Sequence, residues 1–308
     1  MGFSITIIGA ATMDISAQAA PHADLLQRDS HPGRITTSPG GVARNIAENL
    51  GRMGCAPTLI TALGDDAFSA MITSHLAEAG VDYSASPRFT GECDRYLSWH
   101  DPSGDMTRAL HQINLIDGLT PALITARANP IQKADLVVLD SNLAPATIDA
   151  IVAIAEAAAT PPLLAAEAVS AFKCPRLRPH LKKIDLIKCN QLEASALINS
   201  GSSASPEDVI AGLHDHGIGQ VILSLGANGF IVSTEGTLHH HPAETPAAIT
   251  SVTGAGDALM AGFIAGIARG HDVINCGEIA ARAAARTLAC SGAVHPDISW
   301  STLTGPRS

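Results

Sequence analysis

The chain has 308 residues, 46% of them hydrophobic, 16% charged and 3% aromatic, with 19 Lys and Arg against 29 Asp and Glu. A net charge of −10 argues against general nucleic-acid binding, which needs many cations to replace counterions. Two Trp, two Tyr and six Phe are too few for a base-stacking platform, and no apolar run reaches the roughly 18 residues of a membrane helix.

The first residues run directly into Ser4-Ile-Thr-Ile-Ile-Gly9, an apolar strand with no basic flank. That start argues against a signal peptide and for a cytoplasmic protein. Residues 17–38 are polar, with His22, Asp24, Asp29, His31 and Arg34, and show no clean helix. Val42 to Met53 carries helical spacing and stops at Gly54, a residue suited to the left-handed position after a helix. Pro57 to Ala62 reads as a strand, and Phe68 to Ala79 as a helix ended by Gly80. This strand–helix rhythm predicts a parallel sheet covered by helices.

The rhythm breaks at Cys93 to Trp99 and Met106 to His111, two strands joined by Asp101-Pro-Ser-Gly104. Together with the polar stretch they form a small β appendage over one end of the sheet. Alternation resumes with a strand at 134–140, a helix from Pro145 to Ala159, and strands at 163–166, 185–188 and 221–225. Gly226-Ala-Asn-Gly229 turns into the strand 230–233, and two helices, 256–268 and 274–290, close the chain. The six Cys are scattered with no C-x-x-C pair, which reads as idle thiols in a reducing compartment. His239-His-His241 alternates faces on a strand and reads as an exposed edge. Asp65-Asp66 reads as a helix-capping loop.

Four local features can carry chemistry. In Val252-Thr-Gly-Ala-Gly-Asp257 small residues precede a helix. Their N–H groups and the positive end of the helix dipole make an anion site. Asp257 in the first turn serves either as a general base or, with Thr253 as the cap, as a complement to the dipole. In Ser38-Pro-Gly-Gly-Val-Ala-Arg-Asn45 a double glycine allows close backbone approach, and Asn45 suits hydroxyl recognition. The alternative is a turn with a cap. Asp14 lies just past the first strand, where open α/β sheets bind ligands, and serves either as a sugar ligand or as a turn residue. Asn190 and Glu193 share a helix face. They suit a water-rich Mg²⁺ site, a capping box, or both.

In this order the four features resemble the ribokinase-like (PfkB-type) carbohydrate kinase family. Gly40-Gly41 with Asn45 is similar to its first signature and Thr253-Gly-Ala-Gly-Asp257 to its second. Asn190-x-x-Glu193 is similar to its metal-side motif, and Ser224-Leu-Gly226…Gly229 to its nucleotide-side turn. The resemblance spans essentially the whole chain. It implies one three-layer α/β/α domain over 1–308, with a mostly parallel sheet and a β lid formed by about 15–38 and 92–113. Within the family, Val169-Ser-Ala-Phe-Lys-Cys174 is most similar to the branch that phosphorylates pseudouridine. Ribose, another nucleoside or fructose stand as alternative acceptors, and a non-catalytic nucleoside sensor as a remoter one.

The resemblance implies that Asp257 takes the proton of the ribose 5′-hydroxyl as it attacks the γ-phosphate of ATP. Gly254, Ala255 and Gly256 then stabilise the transferring group. Asp14, Gly40, Gly41 and Asn45 hold the ribose, while Asn114, Asn142 and Lys173 are candidates to read the base. Asn190 and Glu193 organise Mg²⁺, and Ser224, Gly226, Gly229 and Thr253 border ATP. A homodimer through the lid is implied, with no nucleic-acid or membrane partner. Four positions depart from the family. Ser251 stands where an Asp often helps bind a monovalent cation, which leaves K⁺ activation open. Glu167-Ala168 replaces Asp-Pro, and Cys189 replaces the Pro of Lys-Pro-Asn. The scarcity of Lys and Arg in these motifs implies that phosphates meet backbone N–H groups, a helix dipole and Mg²⁺ in place of a basic patch.

Overall fold

A computed structural model describes residues 2–20, 30–103, 105–201, 204–244 and 246–305. His22, Asp24, Asp29 and Gly104 lie outside the described residues. The chain opens with β1 (Ile5–Ile8), β2 (Thr12–Ala19) and β3 (Gly33–Gly40), then α1 (Val42–Arg52), β4 (Thr58–Ile60) and α2 (Ala67–Glu78). Next come β5 (Asp94–His100), β6 (Met106–Gln112), α3 (Pro121–Thr125), α4 (Ala128–Gln132), β7 (Leu136–Asp140) and α5 (Pro145–Glu156). β8 (Leu163–Glu167) leads through a 3₁₀ segment, Cys174–Lys183, to β9 (Leu186–Asn190), α6 (Gln191–Ile198) and α7 (Pro206–Asp215). β10 (Gln220–Ser224), β11 (Phe230–Thr234), β12 (Thr237–His241), α8 (Ala255–Ile267), α9 (Val273–Leu288) and α10 (Trp300–Thr304) complete it. The chain therefore does not close on two helices, because the short α10 follows α9.

The main sheet runs β12-β11-β10-β9-β8-β7-β1-β4. β4, β1, β7, β8, β9 and β10 pair in parallel, while β11 and β12 add an antiparallel edge. Both faces are covered, so the strands read as continuous apolar runs, and period-2 alternation sorts their side chains. Ile5, Ile7, Leu136 and Val138 enter one core with α1, α2, α8 and α9. Ile8, Val137, Leu139 and Ile187 enter the other with α5, α6, α7 and the 3₁₀ segment. The result is three layers, helices–sheet–helices. The C-terminal ends of β1, β7, β8, β9 and β10 lie along one edge of the sheet, where α/β folds bind ligands.

A second sheet, ordered β3-β2-β5-β6, rises from that edge. β2 and β3 are antiparallel, β2 and β5 parallel, and β5 and β6 antiparallel. Asp14 is therefore a strand residue paired with Ser38, a correction to its reading as a loop acid. The register separates two faces. Asp14, Ser38, Tyr96 and His111 share one face, while Ala17, Ile35 and Trp99, with Ile15, Leu97 and Leu110, share the other. On the second face Ile35 is 74% and Leu110 70% exposed.

All six cysteines are free, and Asp66 caps α2 by accepting from the Ser69 amide at 2.9 Å. β12 is the outermost strand, as the His run suggested, but His241 is buried and stacks on Phe230 at 4.9 Å between ring centroids. Among the described residues no helix is long and apolar enough to cross a membrane.

Candidate active site

α8 begins one residue after Gly254, whose φ of 81° places it in the left-handed region. A Cβ there would strike the Ala293 carbonyl, so glycine is required. No side chain caps this helix, which corrects the reading of Thr253 as its cap. Ala255 and Gly256 form its first turn and do not precede it. The start of the helix thus carries a positive dipole end, and no side chain caps its amides by a hydrogen bond,.

Asp257 follows in the same turn and is buried. Burial raises its carboxyl to about 7 from the ordinary 3.8, and Glu167 adds to the rise, while Lys188, the Asn45 hydrogen bond and Arg44 oppose it. A carboxyl with a pKa near neutrality suits proton abstraction at physiological pH.

The partner of Asp257 comes from α1. Asn45 Nδ2 donates to Asp257 Oδ2 at 2.6 Å, so the two glycine-rich stretches converge on one carboxylate. Asp140, at the end of β7, fixes the start of α1. Its Oδ2 accepts from the amides of Ala10 at 2.9 Å and Ala43 at 3.2 Å, and its Oδ1 from the amide of Asn142 at 2.9 Å. Burial raises the Asp140 carboxyl, and these amide bonds offset part of that. On β2, Asp14 accepts from Thr12 Oγ1 at 2.9 Å and is raised by burial, with Thr12 and Arg44 opposing. A Cβ on Gly40 would collide with the Asp14 carboxylate. Gly41 has φ 90°, and a Cβ on it would strike the backbone of Ala10 and Ala11. The double glycine therefore lets the second sheet fold down onto the edge of the first.

Beneath the anion loop lies a charge that composition did not suggest. Lys188 Nζ pairs with Glu167 Oε1 at 2.5 Å, both buried. The same Nζ is 2.6 Å from where a Cβ on Gly256 would lie. Burial lowers the Lys188 ammonium, but Glu167, Asp257 and Glu193 outweigh it and hold the group above its ordinary value. No basic patch was expected at the anion loop, and what flanks it is a single buried lysine already paired with Glu167. Glu167 Oε2 also accepts from the Val169 amide at 2.6 Å. It holds Val169 at φ 62°, a conformation unusual for a β-branched residue.

That turn leads to Lys173, whose Nζ donates to Asn142 Oδ1 at 2.7 Å. Burial lowers the Lys173 ammonium, opposed by the field of Asp140 and less strongly by Asp94 and Asp117. Asp94 at the base of β5 accepts from the amides of Asn114, Leu115 and Ile116 at 2.7, 2.7 and 3.0 Å. The Asn114 backbone is thereby fixed while the residue stays exposed.

At the other end of the sheet edge, Asn190 and Glu193 form a capping box. Asn190 Oδ1 accepts from the Glu193 amide and Glu193 Oε2 from the Asn190 amide, both at 2.9 Å. Burial and Glu167 raise the Glu193 carboxyl, with Lys188 and Asn190 opposing. A buried carboxylate with hard oxygen donors fits a cation held partly through water. Among the described residues no group of three acidic, His or Cys side chains encloses a metal. Ser224 Oγ donates to the Cys189 carbonyl at 3.3 Å. Gly226 opens onto empty space, whereas a Cβ on Gly229 would strike the His241 carbonyl. Gly229 therefore serves the β10–β11 turn. Thr253 is exposed, and its amide donates to Ser251 Oγ at 3.1 Å.

Sequence reasoning missed Arg44, Asp140 and Lys188 as site residues. Asp140 carried a readable signal, an acid directly closing the apolar run Leu136-Val-Val-Leu139. Arg44 and Lys188 stood inside motifs already singled out, but their roles depend on residues far away in sequence.

The profile of "pfkB family carbohydrate kinase" matches residues 3–300. The chain is 32% identical to the pseudouridine kinase of Escherichia coli K12 over 300 residues, covering 96% of this chain and 93% of that protein. A carbohydrate kinase from Agrobacterium tumefaciens superposes with a TM-score of 0.82 at 28% identity, covering 98% of this chain and 95% of that one. Arabidopsis thaliana ribokinase, solved with ribose and ATP, superposes with a TM-score of 0.81 at 18% identity, covering 99% of this chain and all (100%) of its own. The chain belongs to the pfkB family of carbohydrate kinases, phosphotransferases with an alcohol group as acceptor.

Proposed function

We propose that the protein transfers the γ-phosphoryl group of ATP to the ribose 5′-hydroxyl of pseudouridine, giving pseudouridine 5′-phosphate, ADP and a proton. The observation that carries the reading is the buried Asp257 carboxyl, raised to about 7, at the start of a helix with no side-chain cap. A base and an anion site in one turn are what phosphoryl transfer to a hydroxyl needs. Pseudouridine is favoured over other acceptors by the likeness to the Escherichia coli enzyme and by the Lys173–Asn142 pair beside the acceptor side. Such a pair offers polar partners to a base with an extra ring N–H.

In this reading Asp257 accepts the hydroxyl proton and the amides of Gly254, Ala255 and Gly256 meet the transferring group. The Lys188 ammonium adds positive charge beside Gly256. Asp14, Gly40, Gly41 and Asn45 hold the ribose, and Asn114, Asn142 and Lys173 face the base. Ser224, Gly226, Gly229 and Thr253 border the nucleotide. Asn190 and Glu193 would hold Mg²⁺ through water, and the bound ion would supply positive charge against the phosphates. The second sheet acts as a lid that positions the acceptor and excludes water, and its apolar outer face joins two copies into a homodimer. The reaction belongs in the cytoplasm, where ATP is supplied.

The test is a set of initial rates with ATP and Mg²⁺ on pseudouridine, uridine, adenosine, ribose and fructose. K⁺ is present or absent, because Ser251 stands where relatives often carry an acid. The reading expects pseudouridine to lead in kcat/KM. A lead of more than about tenfold by ribose or adenosine overturns the assignment of the acceptor.

A further inference from the structure

Arg44 is the bulkiest fully buried side chain among the described residues, at 1% exposure. An ion taken out of water costs several kcal/mol unless its donors are met, and here they are. Nε donates to the Gly40 carbonyl at 3.1 Å and Nη2 to the Pro39 carbonyl at 2.6 Å. Nη1 pairs with the Glu48 carboxylate, and Nη2 also reaches Asn45 Oδ1. Glu48 in turn binds Arg52 at 2.8 Å.

The contact to Asn45 has a directional consequence. A guanidinium only donates, so the Asn45 amide must turn its oxygen to Arg44 and its NH₂ away. That NH₂ meets Asp257 Oδ2 at 2.6 Å. Without Arg44 the amide could flip and set two oxygens against each other. A lysine cannot substitute, since one ammonium cannot span two carbonyls, a carboxylate and an amide oxygen in a planar fork.

We propose that Arg44 is a positioning residue for phosphoryl transfer: through the Asn45 amide it orients the Asp257 carboxylate, engaging Oδ2 and leaving Oδ1 to take the acceptor's proton. The proposal rests on Asp257 being the base. It adds a residue outside the substrate-binding and anion-binding sets, acting at one remove. The charged and polar groups that act on Asp257 are Arg44 and Asn45 from α1, Glu167 from the end of β8 and Lys188 from β9. Losing the Arg44 cation therefore moves the acid limb of activity toward higher pH.

The test compares R44M, R44K, N45A, the double variant R44M/N45A and D257N, using pseudouridine, ATP and Mg²⁺, with folding followed by thermal melting. Should pseudouridine prove a poor acceptor, the best of the sugar and nucleoside panel replaces it. R44M is expected to lower kcat by about 10- to 100-fold, as a misplaced reacting group does. It should leave the KM for ATP within about twofold and shift the acid limb upward. R44M/N45A should lose no more than N45A alone, because both act through one amide. Multiplying losses in the double variant, or an unchanged kcat and pH profile in a folded R44M, overturn the proposal. If R44M does not fold, R44K decides. A reduced kcat with the acid limb near its wild-type position, since the charge is kept, supports the fork, and wild-type kinetics overturn it. Full activity in D257N removes Asp257 as base, a failure distinct from wild-type behaviour at Arg44.

Discussion

The Asn45 amide donates to the Asp257 carboxylate at 2.6 Å, joining positions 212 apart in sequence. The bond links the first turns of α1 and α8, so the helices that follow the two glycine-rich stretches share one carboxylate. It opposes, without cancelling, the rise that burial gives the Asp257 carboxyl.

Replacing Asp257 by Asn should preserve ligand binding and cost about 10²- to 10⁴-fold in kcat, the usual range for a lost general base. Isothermal titration with ATP and acceptor, beside steady-state rates, separates the two effects. Turnover unchanged in D257N removes the base from this position.

The wild-type rate should follow the ionisation of Asp257. The base works only when deprotonated, so kcat/KM should level off above about pH 8 and fall as pH drops through about 7, by tenfold per further unit. A profile flat down to about pH 5 contradicts the raised pKa.

The same shift has a sign for stability. The folded pKa of about 7 exceeds the ordinary carboxyl value of 3.8, so the folded state binds this proton more tightly than the unfolded chain. The ionised carboxylate therefore costs stability above the folded pKa, and the cost fades as pH falls from about 7 to 3.8,. D257N should melt at a higher temperature than wild type at about pH 8 and at the same temperature near pH 4. Scanning calorimetry at the two pH values checks this.

Gly40→Ala puts a methyl into the Asp14 carboxylate. The expected result is a rise of about tenfold or more in the acceptor KM, with ATP binding close to wild type because the anion loop is untouched. Equal damage to both substrates points to a global change in the fold.

Asn142→Ala and Lys173→Met each remove one half of the 2.7 Å pair. If the pair reads the base, kcat/KM should fall by about 10- to 100-fold for pseudouridine and by less than about threefold for ribose, which carries no base. Parallel losses on both acceptors assign the pair to the fold.

Much of the architecture was legible because it rests on local chemistry. Apolar runs such as Leu136-Val-Val-Leu139 can only be strands covered on both faces, and Gly54 and Gly80 marked helix ends by their need for positive φ. The capping box at Asn190 and Glu193 was also readable, since its partners lie three residues apart. In the second sheet β5 and β6 were readable as strands, but β2 and β3 were not. β2 pairs in parallel with β5, about eighty residues away, and no local signal in either strand sets that register.

The sequence by itself determined most elements of the main sheet and the two glycine-rich stretches, because propensity, period and turn chemistry act over a few residues. Only the tertiary structure decided which charges meet. Arg44 faces Asn45 and Glu48 in the interior, Lys188 lies beside Gly256, and Asp140 bridges Ala10 and Ala43. Those encounters depend on strand order and on burial. Removal from water makes each ion seek a partner and raises the Asp257 carboxyl to about 7,. The same Asp in an open loop would keep an ordinary carboxyl, and its position in sequence would look no different.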